Sequence, residues 1–287
     1  MVLVDDLGNR PRPIEPAGDL PPDLGVSADQ RHLLVGQPAG PGQQVDGDTG
    51  LSCIVDRRRI GQSYYPPFVE AERALYVDFE GTAVDPPSLL GVLCVEQAKT
   101  EFTQLVIEEA LWPAAEAKTA DSKWTWACKQ SVWGDLARLR ERSEVQDRRI
   151  VAWSEHERVE MVAHAPSDSD QAWFDENVIN ALPLGRKWQR QFRPDAVMEK
   201  DPENWMRGRH QLQKYFDLIG YEVDPVFGPG HSADRIRTVR DQLVKRSGVY
   251  KAVTPVAKAK WTKALKHNFY DCDGLRAVMI QCATDQA

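Results

Sequence analysis

Ala74-Leu75-Tyr76-Val77-Asp78-Phe79-Glu80-Gly81 reads as a buried strand that ends in two carboxylates. Alternate side chains of a strand share a face, so Leu75, Val77 and Phe79 point one way and Tyr76, Asp78 and Glu80 the other. Two acids at i and i+2 on one face of an apolar strand are costly to bury unless something positive lies between them. A divalent metal is the usual answer. The stretch is therefore the first half of a metal site, and the second half has to come from elsewhere in the chain.

Outward from this strand, Pro86-Pro87 marks a turn and the apolar run Leu89 to Val95 a second strand. Phe102 to Ile107 is a third, with Thr103 and Gln104 marking partial exposure. Short turn-type connections predict an antiparallel meander. Ala114 to Lys118 and Ser131 to Val145 read as helical, the latter with an apolar stripe at Val132, Leu136, Leu139 and Val145. Arg148 to Trp153 is a fourth strand, parallel to a meander strand because a helix precedes it. Helices follow over 155–164 and 170–181. Arg186 to Phe192 alternates as a strand would, and Gln211 to Ile219 is a helix closed by Gly220. Ser232 caps a basic helix over 233–246, and a last helix covers 261–282. The expected fold class is α/β: a mixed sheet of antiparallel meander plus parallel strands, flanked by helices. A basic, mostly helical insertion over 184–260 precedes the last helix. The compact domain spans 71–287. Residues 1–70 form a Pro/Gly-rich arm, with seven Pro and eight Gly in the first 50 residues.

Two further acids are candidates. In Trp153-Ser154-Glu155-His156-Glu157 an acid stands on the first turn after the fourth strand. Pairing of that strand beside the first would bring the acid to Asp78 and Glu80. Glu157 competes with Glu155 for this role. Ser154-x-x-Glu157 is also a capping box, in which Glu157 satisfies a backbone N–H, and both readings stay open. Near the C-terminus, Asp271 shares a helix face with Leu275, Val278 and Cys282, while Asp273 pairs with Arg276 at i+3. Asp271 is thus the core-facing acid, and a core-facing Asp is most often paired or metal-bound. Gly274 and Ala277 are small enough to let this helix approach the sheet closely.

The net charge of −7 argues against general adhesion to nucleic acid, yet it hides an asymmetry. Residues 184–267 hold 18 Lys and Arg against 9 Asp and Glu, and the remainder 18 against 34. A basic region beside an acidic one suits an enzyme acting on a polyanion. The five cysteines are widely spaced without a CxxC, which argues against a disulfide framework or a thiolate zinc site. The N-terminus lacks the regions of a signal peptide, and no apolar run is long enough for a membrane span. A cytoplasmic protein is the expectation.

With the three acidic points in hand, the chain resembles the ribonuclease H-like fold. Within that fold it is similar to the DEDD superfamily of metal-dependent 3′–5′ exonucleases, closest in look to the RecB-associated predicted nucleases. Their first motif, a strand ending Asp-x-Glu, is matched by Asp78-Phe79-Glu80. The second, an apolar strand followed by an aromatic, a small polar residue and an acid, is matched by Ile150 to Glu157. The third is matched by His267-Asn268-Phe269-Tyr270-Asp271-Cys272-Asp273-Gly274. The chain departs from the pattern in having Glu at the second motif and in placing His267 four residues before Asp271, where many members have a base five before. The resemblance implies two-metal phosphodiester hydrolysis with two Mg²⁺ or Mn²⁺ ions about 4 Å apart. Asp78 would bridge both ions, Glu80 would hold the nucleophile-side ion, Glu157 and Asp271 would complete the shell, and His267 would be the base.

The partner expected is single-stranded DNA or RNA. Gly228-Pro229-Gly230-His231-Ser232 precedes a helix bearing Arg235, Arg237, Arg240, Lys245 and Arg246, and backbone N–H groups at a helix start favour anions. An ordinary amphipathic helix with a basic outer face has the same pattern. Trp188, Trp205 and Trp261 lie among the basic residues; such aromatics usually belong to a core, and stacking on bases is their functional alternative. Two other functions compete with the exonuclease. One is an inactive ribonuclease H-like module that binds nucleic acid or assembles with a helicase or nuclease partner. The other is a transposase-type or resolvase-type nuclease on the same fold.

Overall fold

The structure, a computed structural model, describes residues 66–81, 85–96, 99–199, 209–227 and 231–287. The expected Pro/Gly-rich arm lies, up to residue 65, outside the described residues, as do Trp205 and the Gly228-Pro229-Gly230 loop. In chain order the elements are α1 (Phe68–Arg73), β1 (Leu75–Glu80), β2 (Leu89–Glu96), β3 (Lys99–Val106), α2 (Trp112–Thr119), β4 (Ala127–Gln130), α3 (Leu136–Val145) and β5 (Ile150–Ala152). They continue with α4 (Glu155–His164), α5 (Asp168–Asn177), β6 (Val178–Asn180), α6 (Ala181–Phe192), α7 (Leu212–Ile219), α8 (Ser232–Lys245) and α9 (Pro255–Gln286).

The fold is α/β, with one six-stranded mixed sheet in the order β4-β3-β2-β1-β5-β6. β1, β2 and β3 form the expected antiparallel meander, and β5 pairs parallel to β1. The period-2 reading of β1 holds. Leu75, Val77 and Phe79 join a core with Leu136 and Leu139 of α3, Met161 of α4 and Phe174 of α5. Tyr76 joins Leu93, Phe102 and Val151 in a core on the opposite face, where α6, α7 and the C-terminal half of α9 pack. A third core under α8 and the N-terminal half of α9 surrounds the buried Trp261. Trp188 and Trp261 are both buried to 0 % exposure, so neither is a stacking platform for bases.

Several expectations are corrected. The sheet has two more strands than the four expected, because β4 and β6 are only four and three residues long and too short to show a period. Arg186 to Phe192 belongs to helix α6. The window from 186 misses the helical stripe Ala181, Leu184, Trp188 and the Asn180 cap, whose side chain accepts from the Leu182 N–H. The helix over 170–181 is α5, which ends at Asn177 and gives way to β6. The helix over 131–145 starts only at Leu136, and Val132 and Val145 of its supposed stripe are exposed. α9 starts six residues earlier than the apolar stripe suggests: Thr254 caps it by accepting from the Ala257 N–H, and Pro255 occupies its first position.

Gln104 is not partly exposed but fully buried, since β3 runs beneath α9. Gly274 brings α9 against α7 and not against the sheet: a Cβ there would lie 2.2 Å from the Phe216 ring. Asp273 accepts from the Tyr221 hydroxyl at 2.6 Å instead of pairing with Arg276. Among the described residues no helix is long and apolar enough to cross a membrane.

Candidate metal centre

The site forms where the C-terminal end of β1 meets the middle of α9. Asp78 and Glu80 face α9 because they share the pleat face of Tyr76. His267, Asn268 and Asp271 face back because Asp271 lies four residues after His267 and three after Asn268, the spacings that bring helical side chains together. One ligand atom each from Glu80, His267 and Asp271 lie within 4.8 Å of one another. His267 Nε2 sits 3.6 Å from Glu80 Oε1 and 3.5 Å from Asp271 Oδ2.

Asp78 is held beside this trio by Asn268. The Asn268 amide nitrogen donates to the Asp78 carbonyl and to its carboxylate Oδ2, both at 2.9 Å. On the other side of Asn268, Gln104 donates to the Asn268 side-chain oxygen Oδ1 at 3.4 Å and to the Leu265 main-chain carbonyl at 2.8 Å. Room for this comes from Gly91, which pairs with Asp78 across β1 and β2. A Cβ on Gly91 would lie 2.3 Å from the Asn268 side-chain oxygen. Gln213 of α7 donates to Asp271 Oδ1 at 3.1 Å. A cavity of about 180 Å³, lined by Gln213, Phe216, Tyr221 and Phe227 among others, opens onto Asp271.

The electrostatics are those of crowded buried carboxylates. Burial pushes the Asp78 carboxyl well above its ordinary range, and Glu80, Asp271 and Glu157 push it further in the same direction. Burial raises Glu80 to about 7, against the pull of His267. Burial also raises Asp271, with His267 and Gln213 opposing. For His267, burial disfavours the charge, but the Asp271 and Glu80 carboxylates and a hydrogen bond to the Phe227 main chain outweigh it and leave the imidazole above its usual range. Crowded carboxylates are a donor set for a hard divalent cation, and the imidazole beside them is a softer ligand. Among the described residues Glu80 Oε1 is buried with no hydrogen bond of normal geometry, and its neighbour is His267 Nε2 at 3.6 Å. The residues present fit such an ion.

Glu157 is the capping residue. Its Oε2 accepts from the Ser154 N–H at 3.1 Å and from the Ser154 hydroxyl at 2.8 Å, completing the capping box of α4. It lies near enough to raise Asp78, yet it is not among the three groups whose ligand atoms converge. Glu155 turns outward to Arg158 and Asn180.

The basic residues Arg235, Arg237, Arg240 and Lys245 of α8, and Arg246 just after it, differ in their surroundings. Arg235 is buried, with Nη2 donating to the Val226 carbonyl at 2.8 Å. Arg240 is paired with Asp85 and Glu108 at 3.4 and 3.3 Å. Arg237, Lys245 and Arg246 are exposed. Ser232 is not the N-cap expected of it: His231 holds that position, no side chain caps the helix, and the Ser232 hydroxyl is buried without a partner.

Sequence reasoning gave no role to Gly91, Gln104, Asn268 or Gln213. Asn268 could have been found, since it sits three residues before Asp271 on the same helix face. Gln104 and Gly91 carry no local signal, because their roles depend on α9 lying across β2 and β3. No family model, no curated protein and no solved structure matches this chain.

Proposed function

We propose that this chain is a metal-dependent nuclease, a 3′–5′ exonuclease of the ribonuclease H-like, DEDD kind, acting on single-stranded DNA or RNA. The observation that carries this reading is the convergence of Glu80, His267 and Asp271 within 4.8 Å, with Asp78 held beside them by Asn268. A meander continued by a strand parallel to β1 is compatible with that fold.

Asp78, Glu80 and Asp271 would hold the ions. Mg²⁺ or Mn²⁺, when bound as a pair, supplies activation of the attacking water and stabilisation of the leaving oxygen. The chain's own contribution is positioning. Asn268 fixes the rotamer of Asp78, and Gln213 fixes that of Asp271. Glu157 keeps its carboxylate on the α4 cap and adds negative charge to the rim. His267 Nε2, between two carboxylates, is the group placed to take up a proton from water. The cavity beside Asp271 leaves room for the strand end.

The commitment of Glu157 to the cap favours a second reading, an inactive nucleic-acid-binding or assembly module. One assay separates the two: degradation of end-labelled single-stranded DNA and RNA with Mg²⁺ or Mn²⁺, wild type against Asp78→Ala. Degradation by wild type alone is expected. Binding without degradation would favour the second reading, and equal degradation by both proteins would exclude the first.

A further inference from the structure

We propose that five half-buried aromatic rings, Trp124, Trp126, Phe269, Tyr270 and Phe227, form one continuous platform on which the unpaired bases of a single strand stack on the way to the metal centre. The choice of a nucleic-acid strand rests on the nuclease reading, while the platform itself rests on ring geometry.

The first observation is contiguity. The rings come from three separate stretches: the approach to β4, the middle of α9 and the turn Pro225–Phe227. Each nevertheless touches the next. Trp124 meets Trp126 edge to face with centroids 5.0 Å apart, and Trp126 stacks on Phe269 at 4.1 Å. Phe269 meets Tyr270, and Tyr270 stacks on Phe227, both at 5.4 Å. All five keep part of their surface in solvent, unlike Trp188 and Trp261 inside the cores. A contiguous apolar surface of this kind marks a binding face. Beneath it the buried Phe102 packs edge-on against both Trp126 and Phe269, which holds the middle of the platform in place. A ring already held loses little freedom when a base stacks on it.

The second observation is charge at both ends. Lys118 Nζ stands over the Trp124 ring at 4.6 Å, and Lys266 Nζ over the Phe227 ring at 5.3 Å. Lys118 also pairs with Asp121 at 3.4 Å. Lys263 and Lys266 precede Tyr270 by seven and four residues, the helical spacings of its own face. Rings flanked by ammonium groups suit a partner that carries flat bases on a phosphate backbone. They disfavour a second copy of this chain, because a two-fold contact would set lysine against lysine.

The third observation is where the platform leads. Phe227 also lines the cavity that opens onto Asp271, so the last ring borders the candidate metal centre. A strand laid along the rings therefore reaches the carboxylates.

The test uses the full chain in EDTA, so that the strand stays whole whatever the activity of the chain. The probes are fluorescein-labelled oligo(dT) and an abasic oligomer of the same length, which keeps the phosphates and lacks the bases. Wild type is compared with Trp126→Leu, Trp124→Leu and Trp126→Phe, each checked for folding by circular dichroism. Wild type is expected to bind oligo(dT) about fivefold or more tightly than the abasic strand, the scale of one base–aromatic stack. Both Leu variants are expected to weaken oligo(dT) by about the same factor and to leave the abasic strand unchanged, while Trp126→Phe keeps near wild-type binding. If one Leu variant does not fold, the other decides together with the two probes on wild type. This result supports the platform even if wild type degrades no strand with Mg²⁺ or Mn²⁺, in which case only the hydrolytic reading falls. No binding of oligo(dT) by wild type, equal affinity for the two probes, or wild-type affinity in the folded Leu variants overturns the platform even if the chain proves to be a nuclease. A wild-type dimer that Trp126→Leu dissociates overturns it too, by giving the rings to a second copy.

Discussion

Asn268 and Asp78, 190 residues apart in the chain, are joined by one side-chain nitrogen that donates to both the carbonyl and the carboxylate of the aspartate. The bond locks α9 to the end of β1 and fixes the first carboxylate of the candidate metal centre. Replacing Asn268 by Ala should cost about 1–3 kcal/mol, because a buried carboxylate loses its only donor among the described residues. Gly91→Ala should cost a similar amount, about 1–3 kcal/mol, by pushing Asn268 off its position. Urea denaturation checks both, and a Gly91→Ala protein as stable as wild type would contradict the packing described.

Glu157 allows cap and ligand to be told apart. Glu157→Ala should destabilise by about 0.5–2 kcal/mol, the usual range for loss of a helix cap. Glu157→Gln should keep most of that stability, since Gln can complete the same box. Hydrolysis should fall less in Glu157→Gln than in Asp78→Asn. A loss as large in both would make Glu157 a ligand after all.

The metal-free protein should lose stability as pH rises. Glu80 titrates near 7 in the fold against an ordinary 4.5, so the folded state holds that proton longer than the unfolded one. The stability this gives is complete below 4.5 and is lost as pH rises through about 7. His267, raised above 6.5, has the same sign, its contribution being present below 6.5 and lost above its folded value. The unfolding free energy from urea titrations in EDTA should therefore fall between pH 5 and pH 8, by an amount on the order of 1–3 kcal/mol, and Glu80→Gln should flatten the profile. A wild-type midpoint that rises across this range would contradict the electrostatics of the cluster.

The exposed cations of α8 give a separate prediction. Replacing Arg237, Lys245 and Arg246 together by Ala should reduce the salt slope of single-strand binding by about 2, near 0.7 for each phosphate no longer neutralised. An unchanged slope would mean that the strand does not cross this face.

The parts of the fold and site legible in the sequence are those written in local pattern. The alternation in β1, the meander, the capping box at Ser154 and the choice of Asp271 over Asp273 each need only a few neighbouring residues. The hidden parts depend on long-range geometry. β4 and β6 exist because they pair with β3 and β5, not because of their own period. Arg235 looks like its neighbours in sequence and differs in being buried, with its guanidinium on the Val226 carbonyl. Gln104 reads as a solvated strand residue until α9 is laid over it.

The central claim is that Asp78, Glu80 and Asp271 bind divalent metal. Its most direct test is a Mn²⁺ titration of wild type, Asp78→Asn and Asp271→Asn, followed by electron paramagnetic resonance with folding verified for each protein. The account predicts saturable Mn²⁺ binding by wild type that is weakened about tenfold or more in each variant, as expected when a charged ligand is lost. Equal Mn²⁺ affinity in all three proteins, or no saturable binding in wild type, would contradict it.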